Sequence, residues 1–467
     1  AGIKVFDTPF EDVKNPEGLI RDCESARRLG FDGKIALHFS QLEHINKTFG
    51  INIRTKREKQ GHVDNFRGGC YYESGMFIGA PIIQQFKQDL TRTVYVSPSA
   101  RNKGVQGKKL SYGVNYALAF PGQVITSPLE LTLDESLITA WHSIVPGLNP
   151  LETSVTFAKK MGLAGRQMPY HRLINLGLCM LVECYSESCI FHLGVSDAHH
   201  LAPVYSGDTV NVCMQIKDIR NSSSGDYSVF DTVVIMTNQH GERVLWMNRR
   251  SLFPRISKIA ESATPENVDD RFDEPTEFVH RPQLLATAAL QHFAPPRLRV
   301  NEGSVVLHGL IRPMGISAGF SASILFKNTH PLHINTARYD EERLAVSGGF
   351  VLPMVIGSAQ RDIKGGLQEL VLSTAHINPV RPQDSVGAFS YVLKDELDLG
   401  QRKLTLRTFG VKNIDVEKEL DGVNLPYELL EGEGLKPQEI ESICGDLCPE
   451  LSFNICMVVD WIVWVQT

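Results

Sequence analysis

His200–Val210 reads HLAPVYSGDTV, and 176 residues further on His376–Val386 reads HINPVRPQDSV. His200 stands opposite His376 and Asp208 opposite Asp384, each pair ahead of a strand-like run. A second pair of stretches, VPGLNPLETS (Val145–Ser154) and FKNTHPLHIN (Phe326–Asn335), sets Pro150 opposite Pro331 at an offset of 181. Two landmarks with nearly equal offsets imply an internal duplication with a small deletion between them.

The order of elements repeats around these landmarks. In the first half, LTLDESLITAWHSI is a capped helix, and a loop then leads into a long apolar helix ending near Cys184. The strand-like runs TVNVCMQIKDIRN, YSVFDTVVIMTNQ and RVLWMNRRSLFP follow, separated by turn signals at SSSGD and QHGE. In the second half a glycine pair, Gly348 and Gly349, opens the apolar stretch FVLPMVIGSAQ. The runs VGAFSYVLKDEL, RKLTLRTFGVKN and the apolar tail FNICMVVDWIVWVQT come next. One long helix followed by antiparallel strands, given twice, predicts an α+β double hotdog: two antiparallel sheets, each wrapped round a central helix. The expected boundaries are 62–258 for the first hotdog, 259–290 for a linker and 291–467 for the second. TPENVDDRFDEPTEF (Thr264–Phe278), acidic and proline-bearing, supplies the linker.

Residues 1–50 have a different rhythm. NPEGLIRDCESARRLG offers Asn15 as N-cap, Pro16 at the first helical position and Gly30 as a stop. KIALHF is a short buried-strand pattern, and SQLEHINKTFG a capped helix ending in glycine. Helix, strand and helix in this order suit an α/β barrel or wound sheet, but cannot close a core alone. The basic run RTKREK (Arg54–Lys59) reads as a solvated linker and SPSARNKGVQGKK (Ser97–Lys109) as an exposed loop.

Composition narrows the function classes. The chain of 467 residues is 42% hydrophobic and 21% charged, the profile of an ordinary globular protein. A net charge of −6 gives no reason to expect nucleic acid or an anionic membrane as partner. Nine cysteines without metal-ligand spacing suit a reducing compartment and exclude a disulfide framework. The opening residues are polar and acidic, unlike a secretory signal, and the apolar tail is too short for a membrane span and holds Asp460. A soluble intracellular protein, of the cytoplasm or the mitochondrial matrix, is expected.

The chemistry concentrates in FKNTHPLHIN. The MaoC-like hydratase motif that this stretch resembles, set out below, implies addition of water across an enoyl thioester. That reaction needs a base for the water, a proton for the adjacent carbon and donors for the charge that develops on the thioester oxygen. Histidine suits proton transfer near neutral pH, and the motif match makes His333 the candidate acid and base. Asn328 is expected to orient that imidazole or the water. Gly348 and Gly349, at the start of the apolar helix, leave backbone N–H groups unshielded as oxyanion donors. His330 is either a structural residue or part of the substrate site, and His376 either lines an acyl-CoA tunnel or fills a turn. In the first copy the matching positions hold Gly147 and Glu152, a carboxylate without an evident partner, and His171 and His200 read as structural.

Two resemblances add to this. NPEG and ARRLGFDGKIALHFSQLEHINKTF resemble the C-terminal end of the CitE-like acyl-CoA lyases, which include malyl-CoA and citramalyl-CoA lyases. The resemblance implies that residues 1–50 are the last strand and helices of a TIM-barrel lyase. The family's magnesium-binding carboxylates and catalytic arginine belong to earlier strands that this sequence does not contain, so no lyase activity is assigned to it. The remainder resembles the MaoC-like hydratases, whose motif runs Asp, any residue, Asn, Pro, aliphatic, His. It maps onto Gly147–Glu152 in the first copy and Asn328–His333 in the second, where asparagine replaces the aspartate. Asn328, Thr329, His333 and Asn335, with His376–Pro379 as HxNP, are similar to the mesaconyl-CoA (β-methylmalyl-CoA) hydratase branch.

That resemblance implies a hydro-lyase for a short branched or dicarboxylic enoyl-CoA. Its catalytic residues would be His333 and Asn328, with Gly348, Gly349, His376, His330 and Asn335 binding substrate. No metal or redox cofactor is implied, since CoA belongs to the substrate. The partners would be the acyl-CoA and, beyond it, a second copy or a lyase. The alternative readings are a degenerate hotdog that only binds acyl-CoA or scaffolds, and the hydratase part of a larger lyase–hydratase fusion.

Overall fold

Ten strands pair antiparallel into one sheet in the computed structural model, which describes residues 5–51, 53–66, 68, 70–73, 76–90, 109–259, 269–275, 298–340, 342–363, 365–398, 400–445 and 447–465. The first five are β1 (Val124–Thr132), β2 (Phe191–His200), β3 (Thr209–Asn221), β4 (Tyr227–Asn238) and β5 (Arg243–Pro254). The second five are β6 (Val305–Pro313), β7 (Gly366–His376), β8 (Ser385–Asp398), β9 (Gln401–Lys412) and β10 (Ile455–Val465). Their order is β6-β8-β9-β10-β7-β2-β5-β4-β3-β1, so each half reads the same way outward from the centre.

The expectation of two sheets is corrected here: the halves join edge to edge through β2 and β7, in the register Gly194↔Ala375 and Val195↔Thr374. Gly194 makes the close approach possible. A Cβ there would lie 2.0 Å from the Thr374 carbonyl oxygen, so any side chain would force the strands apart.

The duplication shows in matched hydrogen bonds. Asp208 accepts from the Tyr205 N–H at 2.8 Å, and Asp384 accepts from the Arg381 N–H at 2.7 Å. The Met168 N–H donates to the Val204 carbonyl and the Val346 N–H to the Val380 carbonyl, at 2.8 and 2.9 Å. Identical β-turns, each closed by an aspartate that reaches back to the first turn residue, are a common inheritance of loop geometry at equal spacing.

Between strands and solvent-facing loops lie α1 (Glu135–Ile144), α2 (Pro150–Thr153) and α3 (Tyr170–Met180) in the first half. Their counterparts are α4 (Ile316–Leu325), α5 (Pro331–Ile334) and α6 (Gly348–Gln360). Every residue of α3 is buried, and so is α6 from Gly349 to Ala359. A helix that is apolar all round belongs in an interior, and both lie in one core with the inward side chains of the sheet. The opposite face of the second half is covered by the connection from β9 to β10, which buries Leu429, Leu430 and Ile440 against Phe389 and Phe409.

The expected linker 259–290 falls largely outside the described residues, as does SPSARNKGVQGKK apart from Lys109. Its described part, 269–275, is packed down: Phe272 is fully buried, and Trp246 Nε1–H donates to its carbonyl at 3.3 Å. Among the described residues no helix is long and apolar enough to cross a membrane.

The chain separates between Leu110 and Ser111 into two compact units. The described residues of 62–90, assigned from sequence to the first hotdog, fall in the first of these units. In that unit the helix Pro16–Arg28 has the expected cap, Asn15 accepting from the Gly18 N–H at 2.8 Å. KIALHF is not a buried strand. Only Gly33–Lys34 pairs, in parallel with Phe6–Asp7, while Ile35 and Leu37 are exposed. The burial goes instead to Lys34, whose ammonium is held by Asp7 at 2.6 Å and Asp22 at 2.5 Å. RTKREK is not a linker either: it lies in the helix Ile53–Asn65, where Lys59 pairs with Asp89 of the helix Ala80–Leu90. A hairpin of Cys70–Glu73 and Met76–Gly79 completes the unit.

Candidate active site

The short helix α5 begins at a residue that caps it. His330 Nδ1 accepts from the Leu332 N–H at 3.2 Å, which leaves the proton on Nε2. In the first copy Asn149 caps α2 in the same way, accepting from Leu151 at 3.0 Å. One turn into α5, the His333 Nδ1 lies 2.7 Å from the Ala345 carbonyl oxygen. A carbonyl only accepts, so Nδ1 carries the proton and Nε2 keeps its lone pair. The loop is locked where this happens, because the Ala345 N–H donates back to the Leu332 carbonyl.

Asn328 was expected to orient the imidazole or the water; the imidazole is held by Ala345. The Asn328 amide donates to Ser347 Oγ at 3.0 Å and accepts from the His330 N–H at 3.1 Å. It ties the base-bearing loop to the start of α6. The expectation for Asn335 is corrected. It is exposed, accepts from the Arg338 N–H at 3.0 Å and does not line the cavity.

A cavity of about 160 Å³ lies beside these residues, lined by Asn328, His330, His333, Gly348, Gly349 and His376. The start of α6 opens onto it. The Phe350 and Val351 N–H groups are satisfied by Ser347, whereas those of Gly348 and Gly349 have no partner among the described residues. Both glycines are needed for space. A Cβ on Gly348 would meet the His376 ring at 2.3 Å, and one on Gly349 would meet Asn175 Oδ1 at 2.0 Å.

The electrostatics keep the imidazoles neutral. Burial pulls the pKa of His333 below the ordinary value, partly offset by its bond to Ala345. Burial lowers His330 to about 4, helped by the charge of His333, and His376 to about 4, helped by Arg249. Neutral His333 with a free Nε2 beside unpaired backbone N–H groups is a base facing an oxyanion site.

The first half also lends the cavity residues that belong to no motif: Asn175, His192 and Arg249. His192 faces His376 with ring centroids 4.9 Å apart, and nothing in its local sequence marks it. Arg249 did carry a signal. In RVLWMNRRSLFP the inward positions alternate as Leu245, Met247, Arg249, Ser251 and Phe253, a cation among core residues.

The equivalent place in the first copy is closed. Tyr170 and His171 stand where Gly348 and Gly349 stand in the second, and Tyr170 packs on His200 at 3.7 Å. About 30 Å³ remains, lined by Glu152 and Glu369 among others. Glu152 does have a partner: its carboxylate lies 4.0 Å from the buried Arg172, while Glu369 accepts from Gln360 at 2.8 Å. Burial raises Glu152 to about 7, against the pull of Arg172. Burial and the charge of Glu152 raise Glu369 to about 8.

Both carboxyls therefore bind a proton more tightly folded than unfolded, where glutamate titrates near ~4.3. Their contribution to stability is complete below that value and is lost as pH rises through about 7 and 8. Between pH 6.5 and 8 we expect the urea midpoint to fall, with a slope of up to about 1.4 kcal/mol per pH unit for each proton shared. Exchanging both residues for glutamine should flatten that slope. An unchanged slope would mean the pair is ionised throughout.

No family model matches the chain. The fold is that of MaoC-like double-hotdog proteins. It superposes on a MaoC domain protein from Chloroflexus aurantiacus with a TM-score of 0.63, at 20% identity, covering 77% of this chain and 100% of that one. A double-hotdog protein from Mycobacterium tuberculosis gives a TM-score of 0.57, at 16% identity and 76% and 98% coverage. In sequence the chain is similar to mesaconyl-CoA hydratase from Cereibacter sphaeroides, 23% identical over 334 residues, 66% of this chain and 93% of that protein. Its N-terminal part is similar to citrate lyase subunit beta from Haemophilus influenzae, 34% identical over 98 residues. That match spans 20% of this chain and only 34% of the lyase subunit.

Proposed function

We propose that the chain reversibly hydrates a short branched or dicarboxylic enoyl-CoA of the mesaconyl-CoA type, as a hydro-lyase. His333 Nε2 takes a proton from water as the water oxygen bonds to the β-carbon, and the imidazolium then returns a proton to the α-carbon. The Gly348 and Gly349 N–H groups hold the thioester oxygen while it carries the enolate charge. Asn328 acts at one remove, fixing His330 and Ser347 at either side of the cavity.

The observation that carries this reading is the 2.7 Å bond from His333 to Ala345 beside the open start of α6. It presets a neutral imidazole with its lone pair available, the state a general base needs. The likeness to mesaconyl-CoA hydratase, and to β-methylmalyl-CoA dehydratase from Chloroflexus aurantiacus at 22% identity over 284 residues, supports the substrate class. The likeness of the N-terminal part to citrate lyase subunit beta supports its reading as a piece of a lyase barrel, and an association with a lyase that cleaves the hydrated product.

The test is direct. Protein added to mesaconyl-CoA should remove the enoyl-thioester absorbance at a rate proportional to protein. No loss with mesaconyl-CoA or itaconyl-CoA would leave only an acyl-CoA-binding protein.

A further inference from the structure

We infer that Arg249 is the residue that selects substrates carrying a second carboxylate, receiving that carboxylate inside the cavity. The inference rests on the acyl-CoA reading of the cavity and specifies what the acyl chain must present. Three arginines of the described residues are buried: Arg172, Arg249 and Arg407. Arg407 is clasped by both oxygens of Asp460, at 2.8 and 2.9 Å, and Arg172 has Glu152 within 4.0 Å. Arg249 differs from both. It is 3% exposed, its Nη2 donates to Ser186 Oγ at 3.1 Å and its guanidinium lies over the Tyr185 ring at 5.0 Å. Its Nε and Nη1 have no hydrogen-bond partner among the described residues.

Nothing else facing the cavity balances the charge. Among the described residues no aspartate or glutamate lines it, and its histidines, His192, His330, His333 and His376, are held neutral by burial. A buried cation with unmade hydrogen bonds is strongly unfavourable unless an anion completes it. The missing partner is therefore an anion that enters the cavity, and guanidinium donors match a carboxylate. Duplication makes the point sharper. Val195 pairs with Arg249 across β2 and β5, and its counterpart Val371 pairs with Trp461 across β7 and β10. At the matching position of the second half the cation is replaced by a core indole, Trp461, whose Nε1–H is already satisfied by Thr408 Oγ1 at 2.7 Å.

Binding of saturated analogues to the full chain tests this apart from catalysis. By isothermal titration, methylsuccinyl-CoA should bind about 10- to 100-fold more tightly than butyryl-CoA, the range of a charge-assisted hydrogen bond. Arg249→Met should reduce that preference to a few-fold, leave butyryl-CoA affinity unchanged and hold or raise Tm, because an uncompensated charge is removed. Arg249→Lys should restore part of the preference. Equal affinities in the wild-type protein overturn the inference, as does a preference that survives in a folded Arg249→Met variant. If Arg249→Met does not fold, the wild-type comparison still decides. A strong preference without any turnover of mesaconyl-CoA would defeat the hydratase reading and leave this one standing.

Discussion

Replacing His333 with alanine should lower kcat for hydration of mesaconyl-CoA by about 10²–10⁴-fold, the span of one positioned acid–base group. The effect should fall on kcat and not on KM, since the ring holds proton and water while the thioester and acyl chain are held elsewhere. Folding should survive. His333 is not fully buried, and the cap of α5 is made by His330. Asparagine at 333 would be equally inactive, because an amide has no lone pair basic enough to take the proton.

The pH profile supplies an independent check. Burial depresses the His333 pKa, so the base form persists below the ordinary histidine value of ~6.5. Activity should stay level from pH 8 down to about 6.5 and decline only in more acid solution. A limb centred at 7 or above would assign the proton transfer to another group. A variant at 333 that retains wild-type kcat would remove this histidine from the chemistry altogether.

How much of this was legible in the sequence depends on range. The double architecture was, since paired turns such as HLAPVYSGDTV and HINPVRPQDSV keep a fixed spacing and strands announce themselves by alternation. The joining of both halves into one sheet was not. It turns on Gly194 meeting the Thr374 carbonyl, a contact between residues with no local link. His333, His376 and the glycine pair stood out because a motif and a helix start lie close in the chain. The bond from Ala345 to His333 crosses a loop, so the imidazole's partner could not be read locally, and Asn328 was a candidate for that place. Arg249 was readable as a charge on an inward strand position, but its target became visible only when the other half of the fold closed over it.

KIALHF and RTKREK failed for a simpler reason. Propensity and composition describe a segment alone, and here Lys34 and Lys59 take partners, Asp7, Asp22 and Asp89, that lie far away in sequence. The charges went inward or into a helix, and Ile35 and Leu37 were left outside.

A methyl group at position 349 should be almost as damaging as loss of the base. In Gly349→Ala the new Cβ would sit 2.0 Å from Asn175 Oδ1, so the amide must move into the space in front of the helix start. The N–H groups there would lose access to the thioester oxygen, and removal of one oxyanion donor lowers kcat by about 10²–10³-fold. Stability should change by about 1–3 kcal/mol, the usual consequence of overpacking. Gly348→Ala acts through His376, whose ring lies 2.3 Å from the added Cβ. The duplication has already run a version of this experiment: with Tyr170 and His171 at the same helix start, only about 30 Å³ is left. Gly319→Ala in α4 is the control, since nothing lies within 4 Å of its Cβ, and it should leave catalysis unchanged. Removing the obstacle closes the logic. Adding Asn175→Ala to Gly349→Ala should recover at least about tenfold of the lost kcat if the clash is the cause. Wild-type turnover in Gly349→Ala would mean that the thioester is held somewhere other than the start of α6.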